Sequence, residues 1–164
     1  MDTRALMVAA QHYDLPRLLE EWRWLVPFDH QALFVSVLAD WVFRGADGSV
    51  WVLSALEGTY RKIAENAQQY NELQQSERWV AATFLAGWQQ VAADCGLLPT
   101  ESQCLGWKVH PLVGGTVMPT NLQVFDMASY QCRMGQLHRQ LQCTQTQQAP
   151  KKRPWFKFWQ RLVN

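Results

Sequence analysis

The sequence predicts an α+β domain, an antiparallel β-meander of about four to five short strands packed with helices, plus a short C-terminal amphipathic helix. Three observations lead there. Between residues 33 and 63, β-branched and aromatic residues come in short blocks separated by Gly-containing turns. On either side of that stretch apolar residues recur at helical spacing. The chain of 164 residues is 48% hydrophobic with nine Trp, which is enough apolar area for one real core and excludes a disordered chain.

Taken in order, Asp14-Leu15-Pro16 opens the first element, because Pro16 suits the first turn of a helix. Residues 17–25 then place Leu18, Leu19, Trp22 and Leu25 or Val26 on one face, and Pro27 stops them. Residues 1–27 thus read as a helical lead-in. Phe34, Val35, Val37 and Leu38 form a strand, as do Trp41, Val42 and Phe43. The run Gly45-Ala46-Asp47-Gly48-Ser49 is a turn, since Asp-Gly tolerates the positive φ that a tight hairpin needs. Val50-Trp51-Val52-Leu53 runs back, Glu57-Gly58 turns again, and residues 59–63 complete the meander.

Helical spacing resumes at residues 64–73, with Ala67, Tyr70 and Leu73 on one face. Ser76 is placed to cap a single long helix in which Val80, Phe84, Trp88, Val91 and Cys95 share a face. Gly96 suits its left-handed end, and Pro99 prevents resumption. Residues 103–109 read as a strand and residues 111–119 as a loop around Gly114-Gly115. Asp126 then caps a helix whose Met127, Tyr130, Met134, Leu137 and Leu141 form an apolar stripe. Residues 142–148 are a polar linker. The organisation is one domain, 1–148, followed by a basic aromatic tail, 149–164.

Charge divides the chain at the same point. Residues 1–148 hold 10 Lys and Arg against 14 Asp and Glu, whereas residues 149–164 hold five basic groups and no acid. An acidic body argues against a nucleic-acid ligand, whose phosphates call for a basic surface. It suits a cationic protein partner. The four cysteines form no CxxC pair, and no hydrophobic leader precedes them. The longest apolar run, residues 32–42, is broken by Ser36 and Asp40 and falls short of the roughly 20 residues of a membrane span. These features point to a cytoplasmic protein with free thiols. Buried apolar roles for Cys95 and Cys104 are favoured over a zinc set completed by His110.

No segment carries a motif for catalysis or a cofactor. Gly114-Gly115 matches neither a P-loop nor a dinucleotide fingerprint, and reads as a bend or a close backbone approach. His110, His138 and Asp126 keep company with Ser102, Ser129 and Cys104, but in no order that matches a nucleophile motif. His138 reads instead as a hydrogen-bonding partner of a neighbouring loop. Asp47 has a turn role. Asp40 interrupts an apolar run, either as a charge that discourages strand-to-strand aggregation or as a partner contact. In the tail, Trp155, Phe158, Trp159 and Leu162 fall at i, i+3, i+4 and i+7, with Lys157 and Arg161 opposite. Such a helix can pack on its own body, fill a partner's groove or lie on an anionic membrane, the last not favoured.

Two blocks carry a resemblance. One is Gln103-Cys104-Leu105-Gly106-Trp107-Lys108-Val109-His110-Pro111, then Val113-Gly114-Gly115, Asn121, Asp126, Gly135-Gln136-Leu137-His138 and Gln140. The other runs from Asp40-Trp41-Val42-Phe43 through Asp47-Gly48-Ser49-Val50-Trp51 to Glu57-Gly58-Thr59. Together they span about two thirds of the chain and resemble the C-terminal domain of type VI secretion immunity proteins, whose pattern is roughly G-Q-C-Y-x-F-K-x-P-P-x-L-G-G, Asn, Asp, G-Q-x-H-x-Q. Here G-Q-C-Y-x-F becomes Ser102-Gln103-Cys104-Leu105-Gly106-Trp107 and L-G-G becomes Val113-Gly114-Gly115, substitutions that keep the apolar character. Family members often carry a further N-terminal domain, where this chain has its lead-in. The resemblance implies a non-enzymatic protein without cofactor or metal, which binds and neutralises a cognate effector toxin, of a family associated with DNase effectors. The candidate partner-binding residues are Asp40, Asp47, Glu57, Trp155, Phe158, Trp159, Lys157 and Arg161. The alternative is an adaptor that docks to a membrane or a secretion component through the tail.

Overall fold

The structure, a computed structural model, describes residues 6–147, with side chains through Thr144. An antiparallel sheet follows chain order: β1 (Met7–Ala9), β2 (Gln31–Ser36), β3 (Trp41–Arg44), β4 (Val50–Ser54) and β5 (Thr59–Ala64). The α+β meander expected from the sequence is therefore what forms. Its central hairpin pairs Trp41 with Leu53, Val42 with Val52 and Phe43 with Trp51. The Asp47 carboxylate closes the hairpin turn by accepting the Ser49 amide at 3.0 Å, and Gly48 takes the positive φ of 84° that Asp-Gly predicted.

Strand alternation sends successive side chains to opposite faces, and helices cover both. One face, with Val35, Trp41, Phe43 and Leu53, packs on α5 (Met127–Gln147) through Met127, Tyr130 and Met134. Leu18, Leu19, Trp22 and Val26 of the lead-in fill the same core. The other face, with Val42, Val50, Val52 and Ala64, packs on Tyr70 of α2 (Ala67–Gln74) and Phe84 of α3 (Glu77–Phe84). Strands β6 (Gln103–Trp107) and β7 (Leu122–Asp126) form a separate two-stranded sheet. It joins the main one through the Leu105 amide, which donates to Val37 O at 2.7 Å, and a third core that holds Val37, Leu38, Leu56, Leu105, Trp107 and Leu122.

Several elements differ from the sequence expectation, each for a packing reason. The lead-in is not one helix over residues 17–25. It is a single turn, α1 (Leu15–Leu18), followed by a 3₁₀ turn over Glu20–Trp22. Trp22 is fully buried with its indole bonded to Gln131, and that anchor takes the chain off a regular helical path. The long helix after Ser76 is broken. Ser76 caps α3 as expected, but Leu85 adopts a left-handed conformation, φ 52° and ψ 37°, and α4 (Gly87–Asp94) starts afresh. Phe84 and Trp88 would share a face of one helix; the break sends Phe84 beneath the main sheet and Trp88 edge-on against Trp107, 5.0 Å between ring centroids. Strands β1 and β7 were not expected. The helix capped by Asp126 runs to Gln147, so residues 142–147 belong to α5 and not to a linker. The 149–164 tail lies outside the described residues.

Candidate functional site

Below the surface, the two blocks of the sequence meet along a buried polar seam. It starts at the β2–β3 turn, where Ser36 Oγ accepts the Leu38 and Asp40 amides at 3.2 and 3.1 Å. Ala39 takes φ 69° there, and its carbonyl accepts from Gln131 Nε2 at 2.7 Å. Gln131, fully buried on α5, receives the Trp22 indole N–H on its other end at 2.8 Å. A single amide thus ties lead-in, sheet and helix together.

Asp40 continues the seam. The sequence offered it as an anti-aggregation charge or a partner contact; the structure buries it to 2% exposure, where its carboxylate bonds within the fold. Its Oδ1 accepts the Ala55 amide at 2.8 Å, which holds the start of the β4–β5 turn. Burial raises its carboxyl from 3.8 to about 7, against the pull of that bond. The Ala55 carbonyl lies 2.9 Å from His138 Nε2. A carbonyl only accepts, so Nε2 carries the proton and Nδ1 is bare. His138 does bond a neighbouring loop, as its sequence context suggested.

His110 stands edge-on to His138, with ring centroids 5.2 Å apart. Its Nδ1 accepts the Leu112 amide at 3.3 Å, which leaves the proton of the neutral ring on Nε2. That nitrogen is buried without a protein partner at hydrogen-bonding distance among the described residues, the Leu56 backbone stopping short of a full bond. Burial first, and His138 second, push His110 down to about 4. Burial lowers His138 as well. Neither ring is paired with the serines near them in sequence: the Ser129 hydroxyl donates to Asp126 Oδ1 at 2.7 Å, and Ser102 pairs with Thr100 at 3.3 Å. Asp126 caps α5 by accepting the Ser129 amide at 2.9 Å.

The seam supports two surface loops. The β4–β5 turn places Gly58 flush on the His138 imidazole and exposes Glu57, whose carboxylate accepts the Thr59 hydroxyl at 3.2 Å. The loop 109–121 is held by Asn121, which accepts the Val109 amide at 3.0 Å and donates to the Val109 and Thr116 carbonyls at 2.8 and 2.7 Å. Gly115 lies against the Val109 carbonyl with no room for a Cβ, the close approach that Gly114-Gly115 suggested. Val109, Val113 and Met118 of this loop are 50%, 51% and 52% exposed.

Asp47 is exposed at the far end of the hairpin, about one strand length from Glu57, beside an aromatic group that sequence reasoning missed. There Trp51 and Tyr60 stack at 5.2 Å, His30 Nδ1 lies 2.6 Å from Tyr60 Oη, and Lys62 Nζ sits 5.8 Å above Trp51. Pairing of Trp51 with Lys62 across β4 and β5 was the available signal. Of the cysteines, Cys104 is buried as expected; Cys95 is exposed at the end of α4, contrary to its expected buried role. Trp155, Phe158, Trp159, Lys157 and Arg161 lie outside the described residues. No described helix is long and apolar enough to cross a membrane.

No protein-family model matches the chain, and no curated protein matches it. Among solved structures it is similar to Atu4351 from Agrobacterium tumefaciens, with a TM-score of 0.54 and 14% identity over 80% of this chain. The match spans 66% of that protein, just under two thirds of its length. At that identity the likeness shows a shared fold and nothing further, so the conclusion from site and comparison together is an α+β scaffold with a buried polar seam beneath two exposed loops.

Proposed function

We propose that this chain is an immunity protein that binds a cognate type VI secretion effector toxin in the cytoplasm and neutralises it by covering it, without chemistry of its own. One observation carries the reading: the residues on which the family resemblance rests converge in space. Asp40 and Gly58 come from the first block and His138 from the second. Asp40 accepts the Ala55 amide and His138 donates to the Ala55 carbonyl, and Gly58 lies on His138. A pattern kept for a scaffold explains why it reads as a family signature while showing no catalytic order.

The electrostatics fit the same reading. A body with 14 acidic against 10 basic residues suits a cationic partner, and nucleases are cationic where they hold phosphate. The family's association with DNase effectors makes that toxin class the first to test. The test is co-expression with the product of the adjacent reading frame. Toxicity of that product alone, relief by this chain, and co-purification of the two support the proposal. A neighbour that is harmless alone and does not co-purify sinks it.

A further inference from the structure

The two loops above the His110–His138 pair have the construction of a binding surface. Each is fixed from beneath by buried side chains. Asp40 and His138 clamp the amide and the carbonyl of Ala55, and Gly58 rests on His138. His110 is the hinge between them: its ring meets His138, and its own carbonyl accepts the Val113 and Gly115 amides at 2.9 and 3.1 Å. The loop that follows is closed again by Asn121, which reaches Val109 and Thr116. Buried titratable groups are costly in a core, and here all three lie under surface loops that need no such support merely to connect strands.

What the two loops expose is apolar in one and acidic in the other. Val109, Val113 and Met118 are half exposed within the one loop, and Glu57 projects from the other. A rigid apolar centre with a polar rim is the anatomy of a protein interface, and preorganised loops avoid the ordering cost of binding.

We infer that the β4–β5 turn and the loop 109–121 together form the face that docks the toxin, taking an apolar projection of a cationic protein between Val109, Val113 and Met118, with a basic side chain of the toxin against Glu57. This rests on the immunity reading and names its contact surface. Residues 1–148 carry 14 acidic against 10 basic groups and Glu57 is exposed in the β4–β5 turn, so a basic toxin surface meets both.

The experiment uses the full chain and the purified product of the adjacent reading frame, in a catalytically inactivated form, with binding followed by calorimetry. Val113→Asp combined with Met118→Asp is expected to weaken binding by about 100-fold or more, and Glu57→Lys by about tenfold or more. Phe28→Asp, at an exposed residue outside these loops, is expected to leave affinity unchanged. Melting curves that match wild type confirm that the variants fold. Hydrogen exchange should slow at residues 54–59 and 109–118 on binding. Wild-type affinity in both loop variants overturns the surface while the immunity reading stands. Failure of the wild-type chain to bind the neighbour at all removes both. Loss of loop protection in the free chain on truncation after Gln147, or a dimer that the loop variants dissolve, assigns the face to the tail or to a second copy and also overturns the proposal.

Discussion

The imidazole of His138 lies against the Cα of Gly58, although 80 positions of sequence separate them, and that contact locks helix α5 under the β4–β5 turn. Gly58 has a φ of 64°, so two independent constraints exclude a side chain there. Gly58→Ala should therefore lose about 3 kcal/mol, through left-handed strain together with displacement of His138. Chemical denaturation measures this. A midpoint that matches wild type would show that the turn is free to move.

Gln131 offers a second test of the seam. Gln131→Leu keeps the volume but leaves the Trp22 indole N–H and the Ala39 carbonyl without their partner. A loss of about 3 kcal/mol is expected, because buried donors and acceptors left unmade cost the full desolvation of each group. Adding Trp22→Phe should cost less than the sum of the single changes, since it removes one of the orphans. Strict additivity in the cycle would argue that the two side chains do not interact.

The meander was legible because its signals are local: Asp47-Gly48 dictates a turn, and alternation on both sides sets the register. The helix after Ser76 was not, because Phe84 and Trp88 fit one helix perfectly by spacing. Only the existence of two separate cores, one under Phe84 and one beside Trp107, makes a break at Leu85 favourable. Strand β1 is three residues long and exists only because β2 offers an edge, a fact with no trace in Met7-Val8-Ala9 itself. In the seam, His138 could be read as a loop partner from its place on a helix. Gln131 went unremarked, since a polar residue beside an apolar stripe looks like a solvated one until Trp22 and Ala39 are brought to it. Asp40 was noticed for the right reason, an acid in an apolar run, and its role is internal.

Asp40 gives a pH dependence of definite sign. Burial raises its folded-state value to about 7, well above the 3.8 of an ordinary Asp. Between those values the folded chain keeps a proton that the unfolded chain releases, so this group disfavours folding increasingly as pH rises. Asp40→Asn retains an oxygen for the Ala55 amide and never ionises. It should match wild type near about pH 4 and exceed it near about pH 8 by up to ~4 kcal/mol. Equal stability at the higher pH would place the carboxylate in a solvated environment.

The histidines act in the opposite direction. Burial holds His110 at about 4 and lowers His138 below its usual 6.5. The unfolded chain takes up protons that the folded one refuses, so stability is lost as pH falls from about 6.5 toward 4. In wild type this loss runs against the gain from Asp40 and flattens the profile. In an Asp40→Asn background it stands alone, and unfolding free energy should fall steadily across that window. A flat profile in that background would mean that the rings titrate as they do in water.

The central claim is that this chain neutralises a toxin by stoichiometric binding, and titration of the purified partner's activity tests it most directly. With the active product of the adjacent reading frame held at a fixed concentration well above the dissociation constant, added chain should abolish the toxic activity linearly, with the end point at a fixed molar ratio. Activity that persists in excess chain, or that falls only with time as a catalyst would make it fall, would contradict the account.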